Sequence, residues 1–157
     1  VPNWIYIFFN LLYNLGLALW IGGAVALGAL TAPELFRALP RHQAGSIFGP
    51  ILGRFARLRA WALVLIVIGA GAKFLWWERH AVSPWIAVRW AAIVLMAWAL
   101  IVDISLQKKM RIAAATNLGP DVPDDSPVRA LFNLWHVRAE RVMKASVIAA
   151  IFALIFS

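Results

Sequence analysis

From Val1 to Pro33 the chain carries no charged residue. A bilayer crossing takes about 20 apolar residues at 1.5 Å of rise each, so this stretch predicts a first helix over about 3–33 that crosses with tilt. It is longer than the apolar region of a secretory leader and has no basic segment ahead of it, which predicts a permanent helix. Pro33 predicts its end or a kink. The run AWALVLIVIGAGA, closed by Lys73, predicts a second helix over about 57–77. A third, over about 84–107, opens on Pro84, a residue suited to a first turn. A fourth starts near Pro127 and covers 127–157, but its uncharged part, Ala145 to Ser157, has only 13 residues. Either the chain continues beyond Ser157, or Arg141 and Lys144 snorkel and the helix sits deep. The expected fold is all-α: a single transmembrane domain, 1–157, forming an integral membrane four-helix bundle.

Composition agrees. Of 157 residues 63% are hydrophobic and 14% charged, too little polar surface to clothe a water-soluble core, where about a quarter of residues are charged. There is no cysteine, which excludes thiol catalysis, disulfides, iron–sulfur ligation and cysteine zinc sites. The net charge of +8 is read as loop charge meeting anionic lipid headgroups and not as a nucleic-acid surface. Four spans put 34–59 and 107–144 on one side, with Arg37, Arg41, Arg54, Arg57, Arg59, Lys108, Lys109, Arg111, Arg129, Arg138, Arg141 and Lys144. The other side holds Lys73, Arg79 and Arg89. Twelve against three predicts that the first side is cytoplasmic and both termini lie outside the cytoplasm, in a bacterial inner membrane. Trp4, Trp76, Trp77 and Trp85 then form an outer belt and Trp61 and Trp135 an inner one. Trp20, Trp90 and Trp98 are expected to pack between helices.

The connecting segments differ. Residues 38–53, ALPRHQAGSIFGPILG, mix apolar and basic residues and suggest a short interfacial helix along the headgroups. Residues 119–127, GPDVPDDSP, read as a solvated turn, and Asp121, Asp124 and Asp125 lack the spacing of a calcium loop. His42 and His80 fall in loops, where a solvated histidine is expected. Lys73 and Arg89 sit about one turn inside helix ends and are expected to snorkel, with Glu78 a possible partner.

Three sets of residues are candidates for function. On the first helix, Ala18, Gly22 and Ala26 form one line of small residues and Ala24, Gly28 and Ala32 the next. Such lines let helix backbones approach closely. They serve either packing within the chain, the commoner use, or an interface with a partner subunit or a second copy. The same helix stacks Tyr6, Asn10, Tyr13 and Asn14 on one face; amides in hydrocarbon need partners, within the bundle or along a ligand path. Near the cytoplasmic interface stand Glu34, Asp103, and His136 with Glu140 one turn apart. His and Glu at that spacing can share a metal or relay a proton, but so many cations nearby favour ordinary ion pairs over a metal site. No nucleophile–base pair, phosphate loop or zinc-protease motif is present, so no catalytic residue, metal or cofactor is assigned.

The block from Leu17 to Leu52, with Trp20, Gly22 and Gly23, then Ala32, Pro33 and Phe36, then Ala44, Gly45, Phe48 and Gly49, resembles the first helix and following loop of the transmembrane protein 205-like family. Phe132 and His136 are similar to a pattern in that family's last helix, although Trp135 replaces a leucine and Ala139 stands where a serine is expected. The resemblance implies a small four-helix membrane protein of largely undefined function. More distantly, the Trp-x-Gly-Gly helix is similar to copper-resistance membrane proteins and related haem-pathway oxidases. There a histidine about two turns before the tryptophan is the haem ligand. Asn10 to Gly16 contain none, so haem held in that way would lack its axial ligand.

The first expectation is a non-catalytic accessory or scaffold subunit that meets the lipid bilayer and packs against other membrane protein subunits or itself. The alternative is a small transporter or metal-handling protein using Asn10, Asn14, Asp103, His136 and Glu140.

Overall fold

The computed structural model describes residues 2–80, 83–117 and 126–157. The Asp121, Asp124 and Asp125 turn and the side chain of His42 fall outside what is described. The described residues form four helical rods. The first runs through α1 (Asn3–Val25), a π-helical segment (Ala26–Thr31) and α2 (Ala32–Ala38). The second is α3 (Arg41–Lys73) continued by a second π-helical segment (Phe74–Glu78). The third is α4 (Pro84–Asn117) and the fourth α5 (Pro127–Ile155). Three rods are long and apolar enough to cross a membrane: Asn3–Ala38, Gln43–Glu78 and Pro84–Ala113.

The first rod outruns its expected end at Pro33. Proline has no N–H and its ring crowds the carbonyl four residues back. The helix absorbs this by loosening into π geometry just upstream, a common response to local strain. Within the loosened stretch the Thr31 hydroxyl donates to the Ala26 carbonyl at 2.9 Å.

The second rod corrects the reading of 38–53 as a separate interfacial helix. Only Leu39 and Pro40 separate α2 from α3, Leu39 in an extended conformation and Pro40 at the N-cap. From Arg41 onward the chain is one helix, with Pro50 inside it. Gly45, Gly49, Pro50 and Gly53 read as breakers in water, but at a membrane boundary the backbone keeps its own hydrogen bonds rather than lose them.

The rods pair as α1 against α3 and α4 against α5, and the two pairs meet through contacts of α3 with α4 and α1 with α5. Buried positions recur at three- and four-residue steps: Tyr13, Leu17 and Trp20 on α1, Ala62, Ile66 and Ala70 on α3, Ile93, Met96 and Leu100 on α4, Ala149, Ala150 and Ala153 on α5. That spacing suits near-parallel rods with a slight left-handed crossing. The closest approach, between α1 and α3, is made by Gly16 and Gly69. A Cβ on Gly16 would lie 2.6 Å from the Ala62 carbonyl oxygen, and one on Gly69 2.7 Å from that of Phe9.

Aromatic side chains mark one end of the bundle. Trp77 meets Tyr6 edge-on, Trp76 meets Phe9, and Trp85 at the start of α4 stacks on Phe156 at 5.0 Å. Trp20 is buried as expected, whereas Trp98 is 54% exposed on the outer surface of α4.

Candidate functional site

Five polar side chains are buried among the described residues: Arg59, Lys73, Arg89, Asp103 and Ser146. Four of them are ionisable, and none is more than 2% exposed. Arg59 and Lys73 are 14 residues apart on α3, as are Arg89 and Asp103 on α4. Two heptads return a slightly supercoiled helix to the same face, so each rod turns both of its ions inward. The rods run in opposite directions, which brings Arg59 level with Asp103 and Lys73 level with Arg89. The result is two ionic layers about 21 Å apart along the bundle, at 1.5 Å per residue.

In the first layer Arg59 Nη2 donates to Asp103 Oδ2, and Gln107 Nε2 donates to the same oxygen at 2.9 Å. The other Arg59 amino group reaches the Met143 sulfur on α5 at 3.3 Å. The guanidinium lies over the rings of Trp20 and Phe55, 5.5 and 5.0 Å from their centroids, a cation–π arrangement that is stronger out of water. Trp20 Nε1 donates to Ser146 Oγ at 3.3 Å, and the Ser146 hydroxyl to the Met143 carbonyl at 2.8 Å. One cation thus touches all four rods.

The second layer does the same by other means. Lys73 Nζ donates to Asn10 Oδ1 at 3.1 Å and lies 5.2 and 5.5 Å from the ring centroids of Tyr13 and Tyr6. Arg89 grips Glu78 with both amino groups, one of them at 3.0 Å. The Tyr13 hydroxyl donates to the Ala153 carbonyl at 2.5 Å. This layer holds two cations and one carboxylate. Lys73 is balanced by an amide oxygen and two ring faces rather than by an anion. Among the described residues the Nε–H groups of Arg59 and Arg89 have no hydrogen-bond partner.

The proposed polar set therefore does not form one site. Asn10 belongs to the Lys73 layer and Asp103 to the Arg59 layer. Asn14 is half-buried on α1. His136 and Glu140 are exposed on α5, where Glu140 pairs with Lys144 at 2.6 Å. Among the described residues no three His, Cys, Asp or Glu side chains gather as metal ligands would. The expectation that Lys73 and Arg89 snorkel is also corrected: both point into the bundle, because Asn10, the tyrosine rings and Glu78 offer partners there. The 3-4 spacing of Arg59, Ala62, Ile66, Ala70 and Lys73 places both cations in phase with core positions, and was the sequence pattern that could have found them.

The small-residue lines are not where the chain packs on itself. Ala18, Gly22, Ala26 and Gly28 are exposed, and Ala24 and Ala32 half-buried. A Cβ added at Gly22 or Gly28 would meet nothing within 4 Å. Both layers use polar groups to tie rods together.

The profile of a family described as a domain of unknown function, DUF4149, matches residues 15–117, a stretch that includes Trp20 and all four buried ions. No curated protein and no solved structure matches the chain.

Proposed function

The chain belongs to the DUF4149 family of domains of unknown function, and from that premise we propose that it is a packing subunit of a membrane, joining other membrane-embedded helices through the outer face of its first rod and carrying out no catalysis of its own. The observation behind this reading is the open face of that rod. Gly22 and Gly28 stand with empty space where a side chain would be, while the intramolecular close approaches fall to Gly16, Gly23 and Gly69. In lipid, small residues on an unoccupied helix face favour close approach of another helix. The internal polar groups, meanwhile, are spent on holding the bundle together. The resemblance to the transmembrane protein 205-like family, small four-helix membrane proteins of largely undefined function, is consistent with the architecture.

In this reading α5 is the fourth span. Its uncharged segment from Ala145 covers about 20 Å at 1.5 Å per residue, close to the separation of the two ionic layers, with Arg141 and Lys144 reaching the headgroups. The charge asymmetry supports an orientation with the Leu39–Pro40 turn in the cytoplasm and both ends of the chain outside it, in a bacterial inner membrane.

The test is Gly22→Leu with Gly28→Leu in the full chain, followed by gentle extraction from its own membranes and native mass spectrometry. Wild-type protein is expected to carry other polypeptides or a second copy, and the double variant to lose them while keeping its helical circular dichroism. A wild-type chain found alone with bound haem or metal would overturn the reading, as would partners retained by the variant. Because the chain has no cysteine, single introduced cysteines report orientation: His80→Cys is expected to label from outside intact cells and Lys109→Cys only after lysis.

A further inference from the structure

The first rod carries two amides one turn apart, and the bundle engages one of them. Asn10 accepts from Lys73 at 3.1 Å. Asn14 is half-buried and has no hydrogen-bond partner among the described residues. Its depth makes that costly. Gly16 packs against the Ala62 carbonyl and Ile66, and Ile66 stands seven residues from both Arg59 and Lys73. Gly16 therefore marks the middle of the interval between the two ionic layers. Asn14 is two residues away, about 3 Å along the rod at 1.5 Å per residue. In the orientation proposed above this level is hydrocarbon, where neither water nor a headgroup can satisfy an amide. Leu11, Leu15 and Ala18 around it are exposed. Gly22 continues the line from Ala18, with open space where a side chain would be.

We infer that Asn14 is the centre of a parallel homodimer, the amides of two copies of this chain hydrogen-bonding to each other across a two-fold axis along the membrane normal. Charge complementarity selects a second copy. A carboxamide presents positive N–H donors and a negative carbonyl oxygen, so two of them facing across such an axis satisfy each other with reciprocal bonds. Two copies inserted in the same orientation hold this residue at the same depth without further adjustment. An unrelated helix has to supply the match from its own sequence, and a lipid tail has neither donor nor acceptor. Ala18 and Gly22, one and two turns on, have no bulk to keep the rods apart, so the short Asn side chains can meet. Paired buried asparagines fix register and partner number in helical assemblies. Leu11 and Leu15 flank the pair with apolar surface. This inference rests on the packing role of the first rod and names the partner.

The chain has no cysteine, so single introduced cysteines map the contact in native membranes. With copper phenanthroline as oxidant, A18C is expected to give a disulfide-linked dimer and V94C, at an exposed position on α4, to stay a monomer. Dimerisation of the purified full chain is then titrated in neutral detergent by Förster transfer between donor- and acceptor-labelled H80C copies. N14A is expected to weaken the dimer about tenfold, the effect of one interhelical polar contact in model peptides, with helical content unchanged. N14Q keeps a carboxamide and is expected to keep most of the affinity. A wild type that is monomeric in both assays would overturn the inference, as would a dimer of unchanged strength in N14A or equal crosslinking through V94C. Native mass spectrometry that finds other polypeptides on the wild type and never a second copy would overturn the homodimer and leave the packing role standing. A dimer that N14A weakens and G22L/G28L leaves intact would support the Asn14 pair and overturn the role given to the small-residue face.

Discussion

Removing Asp103 asks the bundle to keep a guanidinium in its interior with no anion. Arg59 is 1% exposed, so it does not regain water unless the rods part. What remains around it is the Met143 sulfur at 3.3 Å, two ring faces at 5.0 and 5.5 Å, and an Nε–H already without a partner. Two unit charges 4 Å apart attract by about 4 kcal/mol at an effective dielectric constant of 20. Breaking a buried pair by deleting one member costs about 3–5 kcal/mol for the same reason, while replacing both members by apolar residues of similar size is neutral or stabilising. Asp103→Ala and Arg59→Met are therefore each expected to lower unfolding free energy by about 3–5 kcal/mol, and Arg59→Met with Asp103→Leu to recover most of the loss. Gln107 gives the first single variant a further cost, because its amide also loses an acceptor. The assay is reversible unfolding in mixed micelles of neutral detergent and dodecyl sulfate, followed by tryptophan fluorescence, with Trp20 against the guanidinium as a local reporter. A double variant whose loss equals the sum of the two single losses would refute the reasoning, since the ions would then act independently.

Further outcomes follow from the same geometry. Gly16→Leu and Gly69→Val force side chains into backbone contacts of 2.6 and 2.7 Å and are expected to destabilise the bundle by more than about 3 kcal/mol. Gly22→Ala and Gly28→Ala meet open space and should raise the stability of the isolated chain by up to about 1 kcal/mol through helix propensity, read in the same micelle titration. Asn10→Leu strips Lys73 of the one hydrogen-bond acceptor it has among the described residues and is expected to cost about 1–3 kcal/mol, most of it regained on adding Lys73→Met. His136→Ala and Glu140→Ala, both at exposed positions, should change stability by less than about 0.5 kcal/mol and leave association intact; a large loss would show that α5 carries a site at its basic end.

Helix number and membrane character were legible because hydrocarbon imposes a coarse rule, long uncharged runs, that needs no partner to be read. Ends were less legible. Pro33 and the Gly45 to Gly53 stretch carry the marks of helix termination in water, and a membrane boundary weakens those marks. The polar interior was misplaced for a different reason. Sequence distance to a helix end suggests snorkelling for Lys73 and Arg89, whereas the direction of each side chain is decided by what faces it in the bundle. Asn10 meets Lys73 across 63 positions and Tyr13 meets Ala153 across 140, distances over which one sequence shows no pairing. The small-residue lines were legible as lines but not as to which way they face, because Gly16 and Gly69 fall outside both and took the intramolecular contact instead.

The equal spacing of the ions on α3 and α4 has a mechanical consequence. A slip of α3 past α4 by one turn would uncouple Arg59 from Asp103 and Glu78 from Arg89 in the same movement, so neither layer can re-form while the other stays broken. Sliding of the two rods is thereby gated twice over, because both ion pairs must break in the same step. Motion of the bundle relative to the membrane should be that of a single stiff body, and any rearrangement at its surface should come from the π-loosened half of the first rod, which lies beyond both latches.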